Sequence, residues 1–265
     1  MAVSLTVLAS GSKGNCSLVS TSRTRILIDA GISCRETLRR LASSCGDAPP
    51  IDAILISHEH SDHVAGLYQL ARKLKATVYI TGATHLAWER QNRSSGKTEL
   101  TRVEHFAAGK RFVIGDIDVL PFTTPHDAAD PVGFTLECEG VKIGIATDLG
   151  YMPASVVQHL RGCDGLVLES NHDLEMLRSG PYPWMVKQRV LSRVGHLSND
   201  SLAQFFRSDY DGGAAFLVLA HLSESNNHPE IARREAERAL GNRQNLLGNR
   251  VMLASQDAPL APIRL

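Results

Sequence analysis

Ser57-His58-Glu59-His60-Ser61-Asp62-His63 follows directly on the apolar run Ala53–Ser57. Alternate side chains of an extended segment share a side, which puts His58 and His60 together. Helical spacing begins at Asp62, so the chain turns into a helix whose first turn carries Asp62 and His63. Four ligand-type side chains in six positions can therefore face one point from two directions. The other reading is a polar capping turn with solvated histidines. It leaves three imidazoles and a carboxylate at a strand end without partners. Imidazole and carboxylate without thiolate suit Zn²⁺, Mn²⁺ or Fe, in a site with open positions rather than a closed structural one.

Outward from this cluster, β-branched and Leu-rich stretches bounded by Gly, Pro, Asp or Ser predict strands. They fall at Ser4–Leu8, Cys16–Thr21, Arg25–Asp29, Ala53–Ser57, Thr77–Ile80, Phe112–Ile114, Ile117–Phe122, Gly133–Cys138, Lys142–Ala146, Leu166–Glu169 and Ala215–Leu219. Helical periodicity predicts Ser33–Ala42, Asp62–Leu74, Gly82–Arg93, Pro153–Leu160, Pro183–Val194, Asn199–Ser208 and Pro229–Leu240. Ser33 and Glu36 form a capping-box pair, and Pro229 suits a first helical turn. Interleaved strands and helices mean α/β or α+β. No linker is rich enough in Pro, Gly or Ser to divide the chain, so residues 1–265 are expected to form one domain. The tail from Gln256, with Pro259 and Pro262, is expected to be a loosely packed end. A weak echo links Arg25–Gly31 with Lys142–Gly150, and Asp52–His60 with Asp164–His172. Two α/β halves packed sheet to sheet would bring their strand ends to one shared edge.

Composition narrows the class. The 265 residues carry 28 Lys+Arg against 28 Asp+Glu, which excludes a broadly basic nucleic-acid coat but not a local basic groove. At 43% hydrophobic and 21% charged, wholesale disorder is excluded. No apolar run approaches the roughly 18 residues of a membrane span, and Met1–Ser12 lacks the basic start of a signal peptide. Five scattered cysteines with no C-x-x-C pair read as reduced, cytoplasmic usage, with neither a disulfide framework nor a zinc knuckle.

H-x-H-x-D-H resembles the signature of the metallo-β-lactamase superfamily, and the likeness runs the length of the chain. Asp29 follows an early strand; His58, His60, Asp62 and His63 come next. His126 then stands in Thr124-Pro125-His126-Asp127, Asp148 in Thr147-Asp148-Leu149-Gly150, and His221 in Leu219-Ala220-His221-Leu222. The resemblance implies an αββα four-layer sandwich and two divalent metal ions, Zn²⁺ or Mn²⁺. One would take His58, His60 and His126; the other Asp62, His63 and His221, with Asp148 bridging. Asp29 looks like the family's carboxylate that holds a ligating imidazole, or the turn, from behind.

The fold hosts several chemistries, so further segments must choose among them. Ala9-Ser10-Gly11-Ser12-Lys13-Gly14-Asn15 is either a plain hairpin turn or the S-G-S-x-G-N signature of the YycJ/WalJ-like exonucleases, whose start it resembles. On the second reading Ser12, Lys13 and Asn15 bind substrate. His126-Asp127-Ala-Ala-Asp130-Pro-Val-Gly133-Phe134 is similar to a phosphodiesterase pattern, and the Gly-His-Thr-x-Gly run of thioester and lactam hydrolases is absent. Val194-Gly195-His196-Leu197-Ser198 places a non-ligand histidine ahead of the terminal strand. It is either a helix-capping contact or the family's histidine beside the scissile phosphate. Glu169 resembles the carboxylate that orients it; His172 is left open. Ser223, Asn226 and Asn227 extend an H-L-S-x-x-N-N pattern expected to shape the rim. Arg35, Arg39 and Arg40, or Arg178, Lys187, Arg189 and Arg193, offer a path for a strand or simply solvated faces.

The expected function is a cytoplasmic metal-dependent phosphodiesterase or nuclease, as the resemblance implies a 5′-to-3′ exonuclease acting on DNA ahead of RNA, with no membrane partner. Asp62, His196 and Glu169 are its expected catalytic groups, and the metals its means of activating water. The alternatives are a hydrolase of small esters, thioesters or lactams, and a non-catalytic metal-bound signalling partner.

Overall fold

The computed structural model of the protein describes residues 3–46, 50–96, 99–241 and 250–265. Its first half runs β1 (Ser4–Ala9), β2 (Cys16–Ser20), β3 (Arg25–Ile28), α1 (Cys34–Cys45), β4 (Ala53–Leu55), α2 (Ser61–Val64), α3 (Leu67–Leu74), β5 (Thr77–Thr81), α4 (Gly82–Asn92) and β6 (Val103–Phe106). The second runs β7 (Phe112–Ile114), β8 (Ile117–Thr123), β9 (Val132–Cys138), β10 (Val141–Ala146), α5 (Ala154–Leu160), β11 (Gly165–Glu169), α6 (Leu174–Ser179), α7 (Trp184–Val190), α8 (Asn199–Ser208), β12 (Phe216–Ala220), α9 (Pro229–Leu240), β13 (Arg250–Leu253) and β14 (Ile263–Arg264).

The strands form two seven-stranded sheets, ordered β14-β1-β2-β3-β4-β5-β6 and β13-β12-β11-β10-β9-β8-β7. Period-two alternation gives each strand one residue for the seam between sheets and the next for a helix layer. Ile26, Ile28 and Leu55 meet Phe134, Ile145, Val167 and Val218 in the seam. Leu27, Ile54 and Ile56 pack outward with Leu41, Leu67, Leu70 and Trp88. On the far side Leu166, Leu168, Leu217 and Leu219 pack with Leu160, Leu202 and Phe206. Helix, sheet, sheet, helix is the αββα arrangement expected. Truncating a fully buried Leu27 or Leu168 to Ala should cost about 2–5 kcal/mol.

The sequence echo has a structural counterpart. β1-β2-β3 pair antiparallel and β3-β4-β5-β6 parallel; β8-β9-β10 pair antiparallel and β10-β11-β12-β13 parallel. Even the entry to the echoed strand repeats. Asp52 Oδ2 accepts from Arg25 N at 2.8 Å, and Asp164 Oδ2 from Lys142 N at 2.7 Å. The parallel strands of both halves end at one edge, where the ligand-type residues lie.

Some expectations need correction. The helix expected over Asp62–Leu74 is two, α2 and α3, broken at Gly66. Gly66 N donates to Ala30 O at 2.8 Å instead of up its own helix, and a Cβ there would collide with Ile32 O in the loop after β3. The tail from Gln256 is docked, not loose: β14 pairs with β1, and Leu260 N donates to Val7 O at 2.8 Å. α7 stops at Val190 rather than Val194. β6, β13, β14 and α6 went unpredicted; they are short, and β6 and β14 are edge strands with little apolar alternation.

Candidate metal centre and cleft

At this edge three residues that follow strands stand in left-handed backbone: Asp29 (φ 62°), Asp148 (φ 60°) and His221 (φ 54°). Such a conformation costs a non-glycine residue about 1–3 kcal/mol, and it persists because surrounding bonds over-determine it. Asp29 N donates to Leu55 O at 2.8 Å, and His221 N donates to Ser10 Oγ at 2.7 Å. The sharp turn aims each side chain across the strand ends.

Two groups of donor atoms result. His58, His60 and His126 form one; Asp62, His63, Asp148 and His221 form the other, the ligand atoms within each lying no more than 4.8 Å apart. The residues of the two sets that the resemblance implies thus lie together in the structure. Asp148 stands between them, with Oδ2 3.1 Å from His63 Nε2 and Oδ1 3.8 Å from His126 Nε2. A third grouping joins Asp148 and His221 to Glu169 and His196.

The outer nitrogens of these imidazoles are held by the protein. His63 Nδ1 donates to Asp29 Oδ2 at 2.7 Å, His221 Nδ1 to Glu169 Oε1 at 2.9 Å, and His126 Nδ1 to Gly195 O at 3.1 Å. His58 Nδ1 lies 3.0 Å from Ser57 Oγ. Each of these rings thereby turns Nε2 inward, and a proton kept on Nδ1 leaves that nitrogen available to a metal ion. His60 instead turns Nδ1 toward His126 Nε2, 3.1 Å away. His58 Nε2 and His221 Nε2 are buried without a hydrogen-bond partner among the described residues. Orphaned inward nitrogens beside buried carboxylates are a donor set that divalent metal ions fit.

Charge follows the same plan. Burial pushes the His58 imidazole well below its ordinary range, and the nearby His63 adds to this. Burial opposes ionisation of Asp148, but His221 and His63 outweigh it and hold the carboxyl well below its usual range. Burial likewise works against charge on His63, yet Asp148, Asp29 and Asp62 raise it well above the imidazole norm. Glu169 is wholly buried and is held at about 2, because His196 and His221 overcome the desolvation.

Glu169 is the hub of the second half. Oε1 accepts from His196 Nδ1 at 2.8 Å as well as from His221 Nδ1, and Oε2 accepts from Leu149 N at 2.9 Å and Leu197 N at 3.1 Å. Expected among the catalytic groups, Glu169 has no exposed surface and is absent from the cleft lining, which it meets through the His196 ring. His196 is not a helix cap; Ser198 caps α8 by accepting from Ser201 N. With Nδ1 on Glu169, the His196 ring lines a cleft of about 300 Å³, together with Ser12, Ser61, Arg189, His60, His221, Asp62 and Asp148.

The amino-terminal loop divides. Ser12 lines the cleft, and Lys13 is exposed with Nζ 2.7 Å from Glu224 Oε2. Asn15 is buried and turned inward: Nδ2 donates to Asp62 Oδ2 at 3.3 Å and stands 3.1 Å from His63 Nε2. It faces the centre and is not among the residues that line the cleft. Ser223, Asn226 and Asn227 are also buried, not on the rim. Asn227 Nδ2 donates to the Ser170 and Asn171 carbonyls, and Asn171 Nδ2 to His221 O, so they support the loop that carries His221. His172 is buried with neither ring nitrogen bonded, and burial pushes it down to about 4.

Several contacts went unread in the sequence, where Arg189 stood only as a basic residue offering a path for a strand. Ser57 Oγ donates to Asp29 and touches His58 and His63; Arg189 grips Asp127, next to His126, at 2.6 and 3.2 Å. Gln256 Oε1 accepts from Lys13 N at 2.8 Å, and its Nε2 donates to Gly14 O at 3.0 Å. Only Ser57, adjoining the histidine cluster, carried a signal. Cys138 lies with Asp116 and Glu139, away from the cleft residues. No helix among the described residues is long and apolar enough to cross a membrane.

The beta-lactamase superfamily domain matches residues 24–222. An exodeoxyribonuclease YycJ of Bacillus anthracis is 37% identical, over 91% of this chain and 90% of that protein. An exodeoxyribonuclease WalJ of Streptococcus pneumoniae is 38% identical, over 85% of this chain and 84% of its own. Among solved structures, the metallo-beta-lactamase fold protein YhfI from Bacillus subtilis superposes with a TM-score of 0.72 at 19% identity, covering 98% of this chain and 99% of its own.

Proposed function

Because the chain belongs to the beta-lactamase superfamily, a family of metallo-hydrolases, we propose that it is a metal-dependent DNA exonuclease acting 5′ to 3′. The two donor groups with Asp148 between them would hold two divalent ions, and their nitrogen and oxygen donors suit Zn²⁺ or Mn²⁺. When bound, such ions lower the pKa of water toward neutrality and offset charge on phosphoryl oxygens.

The rest falls to the chain. Glu169 fixes the His196 tautomer and, outweighing the cost of burial, raises the imidazole above its ordinary range. Glu169 thus favours the protonated form of His196, which would pass a proton from Nε2 to the departing 3′ oxygen. Asp62, expected to share that task, is held ionised: burial opposes its charge, but His63 and His221 prevail. It serves as an acceptor, leaving proton donation to His196. Ser12 and the exposed Lys13 flank the cleft where a terminal phosphate would seat.

One observation carries the reading. A single buried carboxylate oxygen binds both the cleft histidine and a candidate metal-ligating histidine, tying a proton donor to the metal centre. Ester leaving groups of phosphodiesters need that proton. The names of the relatives support DNA as the polymer. The test is to incubate metal-loaded protein with end-labelled single- and double-stranded DNA, RNA and a panel of thioesters and lactams. Mononucleotide release from 5′ ends of DNA is expected. Thioester or lactam turnover without DNA cleavage would overturn the proposal.

A further inference from the structure

Seven large apolar side chains are exposed among the described residues, and five of them fall between Trp184 and Val194. Trp184 and Met185 are 67% and 75% exposed, and α7 buries none of its residues. Ordinary surfaces do not concentrate apolar area this way without an occupant. The segment is nevertheless pinned at its far end: His196 N donates to Val190 O at 3.0 Å, and Asp127 N to Val194 O at 3.1 Å. It leads straight into the cleft, because Arg189 lines that cleft and His196 follows six residues after Val190.

Its charge selects the occupant. Lys187, Arg189 and Arg193 are interleaved with the apolar side chains, and the Arg193 guanidinium lies 4.3 Å above the Tyr151 ring. A second copy docked face to face would bring these cations together, which like-charge repulsion disfavours. A strand of unpaired nucleotides satisfies both features: phosphates meet the cations and bases stack on aromatic faces.

We infer that the arm from Pro183 to Val194 is a platform for single-stranded DNA, with Trp184 stacking on a base and Arg189 leading the backbone into the cleft. This inference rests on the nuclease reading above and deepens it by naming unpaired strand as the form that is held. Base stacking on one aromatic ring is worth about tenfold in affinity, at the lower end of measured effects.

The chain has two tryptophans, and Trp88 is buried at 1% exposure, so quenching by added strand reports Trp184. Metal-loaded protein is titrated with a cleavage-resistant phosphorothioate oligothymidylate, and separately with a blunt duplex. Saturable quenching by the single strand, weaker with duplex, is expected. Trp184→Ala, read by strand anisotropy, should weaken binding about tenfold and raise KM for cleavage more than it lowers kcat. Trp184→Phe should recover most of both. Val113→Ser, at an exposed apolar position on β7, should leave strand affinity in place. No quenching, equal affinity in Trp184→Ala, or an equal loss in Val113→Ser overturns the inference. So does sedimentation showing a dimer that Trp184→Ala dissolves. Quenching that persists in a protein unable to cut any polymer would instead remove the nuclease reading, leaving a strand-binding surface.

Discussion

Replacing His196 by Ala separates chemistry from architecture, because the structure predicts different sizes for the two effects. The ring gives one charge-assisted bond to Glu169 Oε1, at 2.8 Å. Removing it does not orphan that carboxylate, which keeps His221 Nδ1 at 2.9 Å and the amides of Leu149 and Leu197 at 2.9 and 3.1 Å. The cap of α8 is Ser198 and is untouched. The stability loss should thus stay near 1–2 kcal/mol, a few degrees in Tm for a chain of this size. Metal content should be unchanged, since the His221 tautomer is still held. Losing a general acid costs about 10²- to 10⁴-fold in rate, or roughly 3–5 kcal/mol of transition-state free energy. The assay compares kcat on dinucleotide esters with kcat on p-nitrophenyl phosphodiesters, whose leaving group departs without a proton. A large drop on the first and a small one on the second is expected. If both fall equally, general-acid catalysis by His196 is wrong, and the ring positions substrate or stabilises charge instead.

Chelation should abolish turnover and lower Tm, because ions that bind only the folded chain stabilise it by mass action; Asp148→Ala should lower metal content and activity together, and full activity in stripped protein would refute the metal centre. Lys13→Ala should slow cutting of 5′-phosphorylated ends more than unphosphorylated ones, and an equal loss on both returns the loop to a simple turn. Gln256→Ala removes two hydrogen bonds to the Lys13–Gly14 backbone, so denaturant unfolding should register about 1–3 kcal/mol with a raised KM; an unchanged midpoint would mean the docked tail does not hold the loop. Changing all five cysteines to Ala should leave the metal content of the folded protein intact; a lost ion would implicate a thiolate, with Cys138 beside Asp116 the first suspect.

How much of this could be read beforehand depends on where the physical cause lies. The cluster His58 to His63 was legible because period-two alternation followed by a helical turn is local, and ligand chemistry leaves few other uses for it. Asp29, Asp148 and His221 were legible by order along the chain. Their left-handed backbone was not, since it is imposed by partners such as Ser10 and Leu55 that are distant in sequence. Asn15 and Asn227 looked like rim or substrate residues because polar side chains near glycine usually face water. Only the tertiary fold supplies the Asp62, His63 and backbone partners that let them be buried. Gln256 failed for the same reason: two prolines nearby suggested a loose end, while the restraint comes from a loop some 240 residues earlier.

The two halves also differ at equivalent positions in a way that bears on the proposed proton donor. In the echoed segments, Ser57 after β4 corresponds to Glu169 at the end of β11, and each is the local hub. Ser57 Oγ joins Asp29, His58 and His63; Glu169 joins His196, His221 and two amides. A neutral hydroxyl beside His58 does nothing to stabilise a positive imidazole there, and burial pushes that ring well below its ordinary range. A buried carboxylate in the equivalent place favours positive charge on whatever it touches. Against the cost of burial, it helps Asp148 raise His221 and itself raises His196 at the cleft. The first half has its own buried carboxylate, Asp29, but it holds His63 alone among the histidines, whereas in the second half one oxygen of Glu169 holds both His221 and the cleft histidine His196. On the proposed mechanism, that shared oxygen is what couples proton donation to the metal centre.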